Sequence, residues 1–353
     1  MKLTDIVGLA AIAVAASSNA LNIILNNDDG FGSANIREFY RLLKDAGHNV
    51  WIVAPVTNNS GQGGRAVFTK ERYLTANSQY DLVPQGAPSF GTDPHDSHIW
   101  YYNGTPAACT FFALDYVVPR YWNNGTAPDL FVSGPNFGSN AGPFLFTLSG
   151  TMGSTYAAVG RGLPGIAFSA ANDTQRSYKT VDRNRTEDGY PADIATINAE
   201  LSVKLVNELA KSVRPGQPLL PHGYGINVNY PDVSPEPGSR CVYPPFYQAR
   251  LTGGADTDRA VYNETSGLFS YADLVPPEGT GVNTCINGDC ALPGETELLS
   301  SCATPVSLFT VDYDAPSSNT TTSVTRALEA LVKKYQGGQV RRDLRYLQSR
   351  YRD

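Results

Sequence analysis

Asp28 and Asp29 stand side by side in Asn26-Asn27-Asp28-Asp29-Gly30, just after the apolar run Leu21-Asn22-Ile23-Ile24-Leu25. Two adjacent carboxylates repel each other unless a cation sits between them. An oxygen-rich site of this kind suits a hard ion such as magnesium or manganese. Gly30 lets the backbone turn sharply behind the pair. A second polar loop runs from Val56 to Arg65. Ser60 brings a hydroxyl, Arg65 a fixed charge, and the glycines bare N–H groups, all suited to an anion. The Gly-Lys-Ser/Thr ending of a Walker loop is missing. A third loop, Pro135 to Pro143, carries Asn136 and Asn140 among closely spaced glycines. A fourth stretch, Ser149-Gly150-Thr151-Met152-Gly153-Ser154-Thr155, opens a helix, and hydroxyls with free N–H groups at a helix N-terminus form an anion site. Taken singly, each has a plain structural alternative: a solvated Asp-Asp turn with Ser33 as helix cap, a flexible surface loop, ordinary Ser/Thr capping.

The elements between these loops explain why they should meet. Leu21–Leu25 is apolar on both faces, as a buried parallel strand is. Ile36, Phe39, Tyr40, Leu43 and Ala46 recur at helical spacing up to Gly47. Asn49 to Pro55 is a second strand, so the first three elements form a βαβ unit with a right-handed crossover. Residues 70 to 100 read as polar and irregular, with the cluster His95-Asp96-Ser97-His98 in a loop rather than on a metal-binding helix. Pro106 opens a helix over Ala107–Val117. Strands follow at Pro128–Gly134, Gly165–Ser169 and Gly225–Tyr230. Ala192–Ser212 is a long amphipathic helix with Ile194, Ile197, Leu201, Leu205 and Leu209 on one face. Pro231–Thr304 is rich in Pro, Gly and Tyr and reads as a β-hairpin excursion. Val306–Tyr313 is a last strand, and Thr322–Tyr335 and Val340–Tyr351 are terminal helices. The fold class is α/β: a three-layer, Rossmann-like, mostly parallel sheet. In open sheets of this class, ligands bind beyond the C-terminal ends of the strands.

The 353 residues suffice for a sizeable core, and a composition of 41% hydrophobic and 17% charged residues is globular. A formal net charge of −6 with no basic stripe argues against nucleic-acid binding. No apolar run beyond the N-terminus is long enough to span a membrane. Met1–Ala20 reads as a secretory signal: Lys2, an apolar Ile6–Ala16, and Ser18-Asn19-Ala20 as a small-x-small cleavage site. Export fits the Asn-x-Ser/Thr sequons at Asn58, Asn103, Asn124, Asn172, Asn184, Asn263 and Asn319. It also fits four cysteines, Cys241, Cys285, Cys290 and Cys302, gathered in one late segment. They allow three pairings. Cys285–Cys290 with Cys241–Cys302 is the expected one, with Cys109 buried and reduced. Zinc is disfavoured because no Cys-x-x-Cys pair is present. The mature chain, 21–353, is expected to be one domain, secreted or vacuolar.

In order along the chain stand Asn-Asp-Asp-Gly after the first strand, Asn-Ser-Gly after Val-Ala-Pro, and Ser133-Gly134-Pro135-Asn136-Phe137-Gly138. Gly104-Thr105-Pro106 lies between the last two of these, and Ser149-Gly150-Thr151, Ile226-Asn227-Val228-Asn229 and Val306–Asp312 follow. This ordered set resembles the SurE family of metal-dependent phosphatases and 5′-nucleotidases, over most of residues 21 to 315. The resemblance implies a divalent metal on Asp28, Asp29, Ser60 and Asn136. It places Asn140 and Ser149, Gly150 and Thr151 on the phosphate side, where Arg65 would join them. Family members usually carry Asp before the cysteine that here follows Ala107-Ala108, which bears on substrate preference. The secreted sequence resembles the acid phosphatase branch. The expected reaction is hydrolysis of a phosphate monoester, such as a nucleoside monophosphate, by a metal-activated water, with Asp28 and Asp29 catalytic. SurE-like proteins commonly exchange extended arms, so a homodimer is expected.

Two other readings are a glycosyltransferase with Rossmann-like halves, suggested by Gly47-His48-Asn49-Val50-Trp51-Ile52-Val53-Ala54-Pro55, and a non-enzymatic binding protein on the same scaffold. Neither calls for Asp28 and Asp29 together with Ser60 and Asn136. A Gly-x-Ser-x-Gly elbow and a dinucleotide-binding Gly-x-Gly-x-x-Gly after the first strand are both absent.

Overall fold

The computed structural model describes residues 20–122, 126–171, 174–187, 189–214, 216–236, 241–255, 257–274 and 280–332. The expected signal segment up to residue 19, the sequons at Asn124 and Asn172, and the helix expected over Val340–Tyr351 lie outside them.

The chain opens with β1 (Asn22–Asn26), α1 (Ala34–Asp45) and β2 (Asn49–Pro55). A hairpin of β3 (Phe90–Asp93) and β4 (Asp96–Tyr102) follows. Then come α2 (Pro106–Phe112), a π-helical turn over Ala113–Val117, and α3 (Val118–Tyr121). Next are β5 (Leu130–Phe137), α4 (Pro143–Leu148), α5 (Gly150–Gly160) and β6 (Gly165–Ala170). The short strands β7 (Thr186–Glu187) and β8 (Tyr190–Pro191) precede α6 (Ile194–Ser212) and β9 (Tyr224–Tyr230). The later segment adds β10 (Phe246–Ala249), β11 (Thr257–Asn263), β12 (Leu268–Leu274), α7 (Thr280–Asn283), α8 (Glu295–Leu299) and β13 (Thr304–Thr310).

Nine strands form the main sheet in the order β10-β13-β9-β6-β5-β1-β2-β4-β3. All neighbours run parallel except β13 with β9 and β3 with β4. Successive side chains of a strand face opposite sides, and both sides here are apolar. Ile23, Leu25, Val50, Ile52, Leu130 and Val132 pack with Ile36, Phe39 and Leu43 of α1 and Ile197 and Leu201 of α6. Ile24, Trp51, Val53 and Phe131 pack on the other side with Ala108, Cys109 and Phe112 of α2. A parallel sheet covered on both faces puts its open edge for ligands at the strand ends.

Two expectations need correction. Residues 70 to 100 are not irregular throughout, because β3 and β4 extend the sheet beyond β2. Only the last four residues of β4 are buried, so its polar first half hid the strand. The Pro231–Thr304 segment does carry the hairpin β11–β12, but it also returns to the sheet. β10 pairs in parallel with β13, and α8 brings a buried carboxylate, Glu295, beneath the sheet edge. The two expected disulfides, Cys241–Cys302 and Cys285–Cys290, are formed, and Cys109 is a buried free thiol.

Residues from Asp312 onward form a separate unit. Its helix, α9 (Asn319–Leu328), is capped by Ser318, whose hydroxyl accepts from the Thr321 N–H at 3.1 Å. Among the described residues, no helix is long and apolar enough to cross a membrane.

Candidate active site

The Asp28–Asp29 pair follows the last residue of β1 and is almost wholly inaccessible, each residue 1% exposed. Gly30 makes the turn behind it at φ +102°, a left-handed conformation that side chains resist. The Asn27 side chain braces the turn: its Oδ1 accepts from the Gly30 N–H at 3.2 Å and its Nδ2 donates to Ser33 Oγ at 3.0 Å. Ser33 is thus the residue before α1 but not a side-chain cap of it.

Asp28 and Asp29 point to different neighbours. Asp28 Oδ2 accepts from the Gly150 N–H at 3.1 Å, and Oδ1 from the Thr151 hydroxyl at 2.8 Å. The N-terminus of α5 therefore holds an anion, as its hydroxyls and bare N–H groups suggested, but that anion is the chain's own Asp28. A Cβ on Gly150 would lie 2.7 Å from the Asp28 Cβ and 2.8 Å from Pro106 Cγ, so only glycine admits the carboxylate this close. Ser149 caps α5, accepting from the Met152 N–H at 3.2 Å. Burial pushes the Asp28 carboxyl above its ordinary range, and the Thr151 and Gly150 donors offset this only in part. Asp29 Oδ2 accepts from the Phe137 N–H at 3.2 Å, and Oδ1 from Gln175 Nε2 at 2.6 Å.

Asn136 lies at the end of β5, beside the Phe137 N–H that meets Asp29. Its Nδ2 donates to the Gly138 carbonyl at 2.8 Å, while its Oδ1 is buried with no hydrogen-bond partner among the described residues. A buried amide oxygen left bare costs free energy unless something electropositive meets it. The Ser60 loop joins the pair through its backbone, with the Asn59 N–H donating to the Asp28 carbonyl at 2.7 Å. Ser60 itself is exposed. Asn58 orders that loop, accepting from the Ser60 N–H at 2.8 Å and donating to Gln175 Oε1 at 3.0 Å. Arg65 is exposed on the rim with its guanidinium on Gln62 Oε1. Its carbonyl accepts from Thr105, tying the loop to the start of α2. Asn140 is buried one loop further on: its Nδ2 donates to Ser169 Oγ at 2.7 Å, and its N–H donates to Asn229 Oδ1 at 2.8 Å.

The structure thus brings Asp28, Gly150 and Thr151 into direct contact, sets Asn136 beside the residue that binds Asp29, and leaves Ser60 and Arg65 on the outer rim. Among the described residues, no group of three or more His, Cys, Asp or Glu side chains is placed to hold a metal. His98 instead packs edge-on against Trp51. The two carboxylates, the Asn136 Oδ1 without a hydrogen-bond partner among the described residues, and the Ser60 hydroxyl on the rim are all oxygen donors, the chemistry that suits magnesium or manganese.

Two residues here carried no sequence signal. Gln175 bridges Asp29 and Asn58 from a polar stretch without periodicity. Glu295, 1% exposed, reaches Asn227 and Asn229 from the excursion. Burial pushes its carboxyl up to about 8, offset only in part by its polar neighbours Ser307, Asn227 and Gly142.

Similarity to known proteins bears on this geometry. The family model described as Survival protein SurE matches residues 23–246. The chain is 41% identical over 307 residues to an acid phosphatase of Yarrowia lipolytica, covering 86% of this chain and 83% of that protein. It is 32% identical over 149 residues to a 5′-nucleotidase SurE of Desulfovibrio desulfuricans, covering 42% and 49%. The crystal structure of the SurE protein from Aquifex aeolicus superposes with a TM-score of 0.56 at 20% identity, over 88% of this chain and 98% of that one. That superposition supports the expected α/β architecture.

Proposed function

The chain belongs to the SurE family and is a phosphoric monoester hydrolase, and on that premise we propose that it hydrolyses phosphate monoesters at the Asp28–Asp29 edge with a divalent metal. The carrying observation is the pair itself: two buried carboxylates at the strand ends, Asp28 held by the Gly150 N–H and the Thr151 hydroxyl, beside the buried Asn136 Oδ1, which has no hydrogen-bond partner among the described residues. Asp28, Asp29, Asn136 and Ser60 would hold magnesium or manganese. Bound there, the ion would neutralise a phosphoryl oxygen and acidify a water.

The chain's own residues do the rest. Gly150 and Thr151 fix the Asp28 carboxylate, and Phe137 and Gln175 fix Asp29. Asn140, Ser149, Gly150 and Thr151 would line the phosphate side, with the Gly150 N–H and the Thr151 hydroxyl already engaged by Asp28, and Arg65 stands on the rim, where its fixed charge would attract a dianion. The buried floor keeps these dipoles in place, so little reorganisation is needed as charge shifts. The substrate class is a small phosphate monoester such as a nucleoside monophosphate, in keeping with the names of the relatives. A glycosyltransferase has no use for this set of residues.

Secretion is part of the proposal, supported by the two disulfides and the N-terminal sequence. So is a homodimer. Val261, Tyr262, Leu268 and Phe269 of the β11–β12 hairpin are exposed, Phe269 by 72%, and self-association would cover them. Light scattering at micromolar concentration tests this, and a monomer there refutes it. The deciding experiment on function is hydrolysis of p-nitrophenyl phosphate with and without a chelator. Metal-dependent turnover is expected, and turnover indifferent to chelation would remove the metal from the reading.

A further inference from the structure

Glu295 is a buried carboxylate with no part in the chemistry above. It sits in the first turn of α8, in the disulfide-bearing excursion, yet its oxygens reach β9, the third strand in from the β10 edge of the sheet. Oε1 and Oε2 accept from Asn227 Nδ2 at 3.1 and 3.2 Å, and Oε2 accepts from Asn229 Nδ2 at 3.3 Å.

The two asparagines pass this constraint on. A side-chain amide has a donating end and an accepting end. With both Nδ2 groups turned to Glu295, Asn229 must present Oδ1 on its far side. There it accepts from the Asn140 N–H at 2.8 Å and from Ser139 Oγ at 3.3 Å. Asn227 Nδ2 also reaches the Asn140 carbonyl at 3.5 Å. The backbone of Asn140 is thus held on both sides, and its side chain is left to Ser169 and the substrate edge.

We propose that Glu295 is a positioning residue for phosphate binding, which sets the amide orientation of Asn227 and Asn229 and through them fixes the loop that carries Asn140. The inference rests on the phosphatase reading and on Asn140 as a phosphate contact. Loss of Glu295 leaves two buried amides free to turn, and a turned Asn229 sets an NH2 group against the Asn140 N–H, which repels it.

The test uses the full chain loaded with magnesium, p-nitrophenyl phosphate as substrate and inorganic phosphate as competitive inhibitor. Glu295→Leu fills the space without an acceptor and should raise KM and the phosphate inhibition constant together by roughly tenfold, with a much smaller change in kcat. Glu295→Gln keeps one acceptor oxygen and should recover part of the loss. Asn229→Ala breaks the relay from the other side and should reproduce the shift, which keeps the test available if Glu295→Leu does not fold. On an Asn140→Ala background the Glu295 effect should vanish, since both act through one contact. A folded Glu295→Leu or Asn229→Ala protein with wild-type KM and inhibition constant overturns the inference, as does a Glu295 effect that simply adds to that of Asn140→Ala. An Asn140→Ala protein with unchanged KM removes Asn140 from the phosphate site and the inference with it, which separates the two failures.

Discussion

Two fully buried carboxylates, Glu38 on α1 and Asp28 at the end of β1, are treated in opposite ways by this fold. Glu38 is enclosed by cations: Arg41 Nη2 lies 2.5 Å from Oε1, Arg183 Nε lies 2.8 Å from Oε2, and Thr196 adds a hydroxyl from α6. Burial alone would push its carboxyl up, but the two arginines outweigh burial and hold it below the ordinary range. Among the described residues Asp28 meets a hydroxyl and backbone N–H groups but no cation, and burial prevails. Glu38 is compensated and joins α1 to α6. Asp28 is uncompensated, and an anion buried without a cation marks a place where charge is to be supplied from outside.

The largest expected break in this contrast is Asp28→Asn. Hydrolysis should fall roughly a thousandfold or more in a protein that still folds. Near-normal turnover at saturating magnesium would show that Asp28 is as structural as Glu38. Glu38→Gln should do the reverse, lowering stability by about 2 kcal/mol while kcat holds. The cost is below that of a fully enclosed ion pair because Arg41 and Arg183 are 35% and 45% exposed and screened. Urea titration alongside a rate assay measures both.

Glu295 sharpens the comparison through pH. Its folded carboxyl, at about 8, lies above the ordinary 4.5, and the groups that face it, Asn227, Asn229, Ser307 and the Gly142 backbone, are neutral. Its contribution is complete below about 4.5 and is lost as pH rises through about 8, by at most about 1.4 kcal/mol per pH unit. Glu38 has the opposite sign, contributing above 4.5 and losing that contribution as pH falls through its lowered folded value. Thermal unfolding from pH 2 to 9 should therefore show a flatter neutral slope in Glu295→Gln and a flatter slope below pH 4.5 in Glu38→Gln. An unchanged slope in either variant refutes the assignment for that residue.

The smallest effect is a readout of surface chemistry. Asn58 is bound on both sides by Gln175 and the Ser60 N–H, so it should carry little or no glycan in a eukaryotic host. The exposed Asn184 and Asn263, with Asn263 in an Asx turn to Thr265, should be occupied. Glycopeptide mass spectrometry decides it, and high occupancy at Asn58 in active enzyme would mean that the Ser60 loop stands away from the pair.

What could be read from the sequence was local. The apolar runs of β1, β2 and β5, the stripe on α6, the acidic pair behind Gly30 and the disulfide pairing all depend on neighbours in the chain or on composition. What could not be read depends on distant partners. Glu295 is 66 residues from Asn229, with no periodicity around it. Gln175 is 146 residues from Asp29. The Ser149-Gly150-Thr151 turn was legible as an anion site, yet nothing local could say that Asp28 would fill it. β10 escaped because a four-residue strand with one fully buried side chain has no alternation to show.

The Cys241–Cys302 bridge encloses both strands of the hairpin. This gives the excursion a covalent topology independent of the continuity of its backbone. The β11–β12 tip, solvated along its length, is where a protease would cut first. A single cut there leaves the two pieces joined by sulfur, with Glu295 still tethered on the C-terminal piece and Asn229 on the N-terminal one. Such a nicked molecule runs as one band without reductant and as two with it. A segment open to attack can be severed while the part that reaches the site stays attached.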